Sequence, residues 1–332
     1  MAIKKLRKKG IFLTFIAIAI IAAIIIIFTP SGINLGKNIP VIKTRVSNVN
    51  EYVLDLENVY LERTLQATGR KTIIALISYM SEETIKNGEE MFLSDFNAAF
   101  SEVLLDGKIE GEDIDTYYDG TIMSGNTYND WLDKIKTAAK STFNVDTSFV
   151  INNIQVEQVT PWFVDAEADI TLSVTSETAS WEKNVIIKTV IDIENFDDPY
   201  YLVKTSGDYV NKIEKSETKF DEWDVERVND HISKGTYVHF ENGNAPSFID
   251  RFTNNIAQSP CCGIESLVDP NSAAISSKFV SYADYSYWET QSGCEKQNLY
   301  EVNGVTSGIK LDFGSIGRYK LLADADKICP SE

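Results

Sequence analysis

An apolar run near the amino terminus is the feature that most constrains this chain. Residues 11–28 contain one polar side chain, Thr14. Eighteen helical residues are just long enough to cross the hydrocarbon core of a membrane, which is about 30 Å thick. Five lysines and arginines lie directly before the run, between residues 4 and 9. Such a basic flank stays in the cytoplasm, so we predict a single-pass membrane protein, in contact with lipid through residues 11–28, whose bulk lies outside the cytoplasm at the cell surface.

The charge of the remaining chain limits its partners. The whole chain carries a formal charge of −18 and its first ten residues carry +5, so the rest carries −23. A surface this acidic argues against binding nucleic acid. The content of apolar (43%) and aromatic (11%) residues is that of a globular chain rather than a disordered one.

The four cysteines, Cys261, Cys262, Cys294 and Cys329, all lie in the last quarter of the sequence. An even number of clustered cysteines outside the cytoplasm predicts two disulfides. Because adjacent cysteines rarely bond each other, we expect one of Cys261 and Cys262 to pair with Cys294 and the other with Cys329. No C-x-x-C pair is present, and the spacing of His231 and His239 matches no metal motif, so no metal or cofactor is predicted.

The segment Lys8-Lys9-Gly10, followed directly by Ile11-Phe12-Leu13, resembles the class III signal of archaeal type IV pilin-like surface proteins. The resemblance implies that a membrane peptidase cuts between Gly10 and Ile11 and that the apolar helix remains as an anchor. It also implies other pilin-like subunits or a surface ligand as partners. Phe15 occupies a position where many pilins have a glutamate that aligns subunits, which argues against a filament made of this chain alone.

The next elements are predicted from hydrophobic periodicity. Residues 29–40 contain two prolines and two glycines and are predicted to form a linker. An apolar stripe at steps of three and four then predicts a long amphipathic helix from Val41 to about Met80, with Gly69 on the stripe. Shorter helices are expected over 94–105 and 127–142, around an acidic loop at 108–126.

Three runs within residues 149–193 alternate apolar and polar side chains, which predicts an antiparallel β-meander packed against the long helix. After it we expect a charged helical stretch at 208–234, a short helix near 246–256 and several strands. The predicted strands are 237–240, 275–288, 299–302, 309–313 and 319–322. The predicted fold is therefore α+β, with residues 41–204 as one outer domain and 205–332 as a second, β-rich, disulfide-bearing domain.

Tyr282, Tyr285, Tyr287 and Trp288 crowd one predicted strand, where they could form a recognition platform or a β core. No catalytic motif is present and no catalytic residue is predicted. The sequence therefore favours a pilin-like surface protein with a structural or adhesive role. The alternative is a membrane-tethered hydrolase that uses acidic residues, for which two facing carboxylates in a cleft would be the signature. A ligand-binding sensor is a third possibility, disfavoured by the short cytoplasmic segment.

Overall fold

The computed structural model describes residues 38–117, 122–177, 179–272, 275, 278–289, 298–306 and 308–329. Among these residues, no helix combines the length and the apolar character that a membrane crossing requires. The predicted span at residues 11–28 lies outside them, as do Gly10, Ile11 and Cys294.

The described chain combines helices with small antiparallel sheets, as the α+β prediction requires. The helices are α1 (Asn38–Asp55), α2 (Leu61–Asn87), α3 (Phe96–Asp106), α4 (Tyr128–Phe143), α5 (Pro199–Lys204), α6 (Val225–Lys234), α7 (Phe248–Phe252), α8 (Asp284–Tyr287) and α9 (Phe313–Arg318). The strands are β1 (Lys108–Ile109), β2 (Glu112–Asp113), β3 (Asp146–Thr160), β4 (Phe163–Thr175), β5 (Ser180–Asp192), β6 (Leu299–Val302), β7 (Lys310–Asp312) and β8 (Ala325–Lys327).

The described residues form two compact units. The first comprises residues 38–62, 130–152 and 169–187, and the second comprises 63–129, 153–168 and 188–329 with the gaps given above. The predicted domains 41–204 and 205–332 do not coincide with these units, because residues 63–129, 153–168 and 188–204 group with the rest of the second unit.

The predicted long helix is present and extends to Asn87. It begins at Asn38, so Pro40, which we assigned to the linker, falls in its first turn, where backbone N–H groups have no helical partner. A π-helical turn, Leu56–Tyr60, separates α1 from α2. The buried stripe passes from Leu56 to Leu61 in a step of five, rather than three or four, because the π-helical turn contains one extra residue.

The predicted meander is confirmed as a sheet in the order β3-β4-β5. Strand β4 alternates buried and half-buried residues along its length, as its sequence predicts. In the first unit, α1 contacts this sheet through the Tyr52 hydroxyl, which lies 3.3 Å from the hydroxyl of Thr147. In the second unit, α2 contacts it where a Cβ added at Gly69 would lie 2.7 Å from the side chain of Ile191.

The region after residue 205 departs furthest from the sequence prediction. The helix expected over 208–234 is confined to α6, and the preceding segment is extended, with bridges from Lys212 to Asp197 and from Lys215 to Tyr237. Helix α7 forms as expected, with a capping box between Ser247 and Asp250. A small sheet in the order β7-β6-β8 follows. The strands predicted at 275–288 and 319–322 are wrong.

Candidate functional site

The crowded aromatic residues lie in and beside a short helix of the second unit rather than in a strand, and most of them are buried. Tyr282 and Tyr287 are fully buried and Tyr285 is 8% exposed. Trp288 is half-buried at the end of α8, and its ring meets Tyr287 edge to face at a centroid distance of 4.6 Å. The sequence left open whether these residues form a recognition platform or a core. Their burial favours a core.

The cysteines pair differently from the sequence prediction. Cys261 and Cys262 bond each other, with their Cα atoms 3.7 Å apart. The expectation that each would bond a more distant cysteine is therefore wrong. Cys329 is also disulfide-bonded and buried, and its sulfur accepts a hydrogen bond of 3.3 Å from the Leu299 N–H.

We call residues 259–267 the cysteine loop. Backbone hydrogen bonds on both sides of its two cysteines join it to one neighbouring segment, residues 245 and 246. Its first backbone N–H, from Ser259, donates to the Ala245 carbonyl at 3.0 Å. Beyond the cysteines, the Ile264 N–H donates to the Pro246 carbonyl at 3.0 Å. Between these points a Cβ added at Gly263 would overlap the Ala245 carbonyl oxygen, so only glycine fits there.

The end of the cysteine loop leads into a buried charged cluster, the arginine network, made of Arg251, Asp198, Asp284 and Tyr237. Helix α7 supplies Arg251, whose guanidinium lies 2.7 Å from the Asp198 carboxylate and 2.9 Å from that of Asp284. All three side chains have zero exposure. The Tyr237 hydroxyl donates to Asp198 at 2.7 Å, and Arg251 also donates to the carbonyl of Ile264 in the cysteine loop. This cluster therefore joins α5, α7, α8 and the loop through charge-assisted hydrogen bonds.

A second, largely buried ion pair involves the next residue of the loop. The carboxylate of Glu265 lies 3.1 Å from the guanidinium of Arg318. Burial raises the pKa of Glu265 to about 7, although Arg318 opposes the shift. Tyr319 hydrogen-bonds Glu265 and lies 3.4 Å from the imidazole of His231, which also lies 2.6 Å from the Thr236 hydroxyl. Burial lowers the pKa of His231 to about 3, so this imidazole is neutral at ordinary pH.

The carboxylates of Glu265 and Asp284 are thus enclosed and do not line a cleft. Burial also raises the pKa of Asp284, whose partner is Arg251. A surface cleft of about 340 Å³ lies elsewhere in the second unit, lined in part by Asp95 and Glu102. Both carboxylates bond backbone there: Asp95 accepts from the Ala98 N–H, and Glu102 from the N–H groups of residues 110 and 111. In neither arrangement do two free carboxylates face each other, as they do in the usual glycosidase site.

The remaining predicted candidates are distributed as follows. His231 is buried among aromatic rings, whereas half-buried His239 donates an Nδ1–H bond of 2.7 Å to the Gly263 carbonyl. Among the residues that the structure describes, no group of three histidine, cysteine or acidic side chains is placed to hold a metal ion. Gly10, Ile11 and Cys294 lie outside those residues, and so their predicted roles stay predictions.

Gly263 offers a direct test of the fit between the cysteine loop and residue 245. We expect Gly263→Ala to lower the free energy of unfolding by about 1–3 kcal/mol, because the added methyl overlaps a backbone carbonyl that cannot rotate away. The measurement is urea unfolding of the full chain in detergent.

The matched control for this prediction is Gly317→Ala in α9. A Cβ there meets nothing within 4 Å, so the change should be neutral or stabilising by up to about 1 kcal/mol. Equal effects of the two substitutions would contradict the proposed packing of Gly263.

Sequence reasoning missed the arginine network. The sequence patterns single out none of Asp198, Arg251 and Asp284. One local signal was available, since Asp198-Pro199 is a favourable start for a helix and Asp198 does cap α5. Nothing in the linear sequence connects this aspartate to Arg251, which lies 53 residues away along the chain.

No protein-family model matches this chain, and it matches neither a curated protein nor a solved structure.

Proposed function

We propose that this chain is a membrane-anchored, pilin-like surface protein whose acidic body works outside the cytoplasm in a structural or adhesive role. The observation that carries the proposal is the state of the cysteines. Cys261, Cys262 and Cys329 are all disulfide-bonded. Disulfides form and persist in oxidising compartments. The basic flank and the apolar run assign this part of the chain to such a compartment, outside the cytoplasm.

The arginine network supports a structural role over hydrolysis. Its charges are enclosed and paired, so they hold four elements together and leave no free carboxylate for a substrate. The acidic surface favours a soluble exterior and disfavours nucleic acid as a partner. A single-pass anchor with a disulfide-bonded body fits display at the cell surface.

Reversal of the basic flank tests the topology. In intact cells that produce the full chain, protease added outside should digest the body of the wild type, and the chain should sediment with membranes. Replacing all five basic residues between positions 4 and 9 by glutamate removes the orientation signal. The body of this variant should become protected from external protease and its cysteines should be reduced. Equal protection of the two chains would contradict the proposal.

Replacement of Gly10 tests the pilin-like resemblance separately from the anchoring. We expect Gly10→Phe to insert normally, because residues 11–28 and the basic flank are unchanged. It should block cleavage, because the peptidase requires a small residue before the cut, and the mature chain should be about 1 kDa heavier by mass spectrometry. Gly32→Phe is the control and should be processed normally. A wild-type chain that begins at Met1 or Ala2 would contradict the pilin-like assignment while leaving the anchor in place.

A further inference from the structure

The two residues of the Cys261–Cys262 bond differ sharply in their exposure to solvent. Cys261 is exposed, whereas Cys262 has zero exposure. The Cys262 sulfur is therefore closed to a reagent in solution, and attack on the bond has to come from the Cys261 side. In thiol–disulfide exchange the attacked sulfur forms the new bond and its neighbour leaves as a thiolate. Access alone thus fixes the direction of attack, with Cys261 as the electrophile and Cys262 as the leaving group.

The surroundings of the bond also suit the reduced pair. The carbonyl oxygen of Gln158, in β3, lies 3.4 Å from the Cys261 sulfur and 3.2 Å from the Cys262 sulfur. A disulfide sulfur carries no hydrogen and cannot donate to this oxygen, whereas a thiol S–H can. The Ser259 hydroxyl lies 3.9 Å from the Cys261 sulfur and is a potential donor to a thiolate there. Gln158 and Ser259 can therefore keep their positions whether the cysteine pair is oxidised or reduced.

The cysteine loop does not depend on the bond for its position. Ser259 and Ile264 are held by residues 245 and 246, and the Gly263 carbonyl accepts from His239. These contacts involve no sulfur and lie on both sides of the pair. Opening the bond should therefore leave the two thiols adjacent. Closure then remains an intramolecular step with a high effective concentration.

We propose that Cys261–Cys262 is a reversible thiol–disulfide exchange site that reacts with small dithiols. The thiolate of a dithiol attacks the Cys261 sulfur and forms a mixed disulfide. The Cys261–Cys262 bond breaks, and its electron pair goes to the Cys262 sulfur, which takes a proton from water. The second thiolate of the reagent then attacks the reagent's own sulfur in the mixed disulfide and releases Cys261 as a thiol. Two electrons and two protons pass to the protein, and the dithiol leaves as a cyclic disulfide.

The first experiment titrates the full-length protein in detergent with dithiothreitol under native conditions. Acid quenching, alkylation in denaturant and peptide mapping then report each cysteine. We expect Cys261 and Cys262 to be alkylated after reduction under native conditions, at reductant concentrations within about a factor of ten of those that suffice in urea. Removal of the reductant and mild oxidation should restore the bond. Release of Cys261 and Cys262 only after addition of urea would overturn the proposal.

The second experiment compares Cys262→Ala, which leaves a thiol at Cys261, with Cys261→Ala, which leaves one at Cys262. A chromogenic aromatic disulfide should react with the folded Cys262→Ala variant faster by a factor on the order of a hundred, because the buried thiol must wait for local opening. The two rates should become equal in denaturant, which shows that the difference comes from the fold. Equal rates in the native variants would refute the assignment of Cys261 as the attacked sulfur.

Discussion

Replacing Arg251 by methionine should destabilise the second unit by about 3–5 kcal/mol, the typical cost of removing one partner from a buried ion pair. The substitution leaves the carboxylates of Asp198 and Asp284 enclosed without their counter-charge. It also removes the donor to the Ile264 carbonyl at the end of the cysteine loop. The measurement is urea unfolding of the full chain in detergent, followed by tryptophan fluorescence.

Arg227→Met is the matched control for this prediction. Arg227 lies in α6 and forms an exposed ion pair with Asp224, in which the two side chains are 44% and 49% exposed. Exposed pairs contribute at most about 1 kcal/mol, so this control should unfold nearly as the wild type does. Adding Asp284→Asn to Arg251→Met should recover part of the loss, because it removes one uncompensated buried charge. If the free energy of unfolding does not recover, the loss comes from packing rather than from charge.

Acidification should destabilise the fold through His231. The folded protein keeps this imidazole neutral down to about pH 3, whereas the unfolded chain protonates it below its ordinary value of 6.5. The unfolded state therefore binds more protons between these values, and stability is lost as the pH falls through this window. Each pH unit costs up to about 1.4 kcal/mol from this group alone. We expect an imidazole without titration above pH 4 in proton NMR spectra of a His239→Gln variant, in which His231 is the remaining histidine.

His231→Phe isolates this effect because phenylalanine can keep the edge-to-face contact with Trp223 but cannot take up a proton. The stability lost between pH 6 and pH 4 should be smaller in the variant than in the wild type by about 2.5 kcal/mol. Glu265 contributes with the opposite sign: its raised pKa means that stability is lost as the pH rises from 4.5 towards about 7. This contribution is common to both proteins and cancels in the comparison. Parallel pH profiles would contradict the neutral, buried state of His231.

The local sequence determined the elements whose side chains follow a regular period. The stripe that includes Leu65 and Leu76 identified the long helix, and the strict alternation in β4 identified its strand. Asp106-Gly107 marked the end of α3, where Gly107 adopts a left-handed conformation that glycine reaches without strain. Such features need only neighbouring residues, so they can be predicted without knowledge of the remainder of the chain.

Short, aromatic-rich segments were a different case. The run from 275 to 288 was predicted as a strand because tyrosine favours strands. In the structure Asp284 instead begins a short helix, in which its carboxylate meets Arg251. A helix of four residues has almost no periodicity to detect, and long-range contacts decide its conformation. The same holds for residues 319–322, where the buried ring of Tyr319 packs against Trp223 at a centroid distance of 4.9 Å.

The pairing of the cysteines and the arginine network were decided by tertiary structure alone. Composition and compartment predicted that disulfides form, but not that Cys261 would bond Cys262, in a loop bound to residues 245 and 246. Asp198, Arg251 and Asp284 carry no shared motif, and they meet because burial excludes water and makes each charge require a partner. Hydrophobic periodicity is a property of neighbouring residues, whereas the pairing of buried charges and sulfurs is a property of the completed fold.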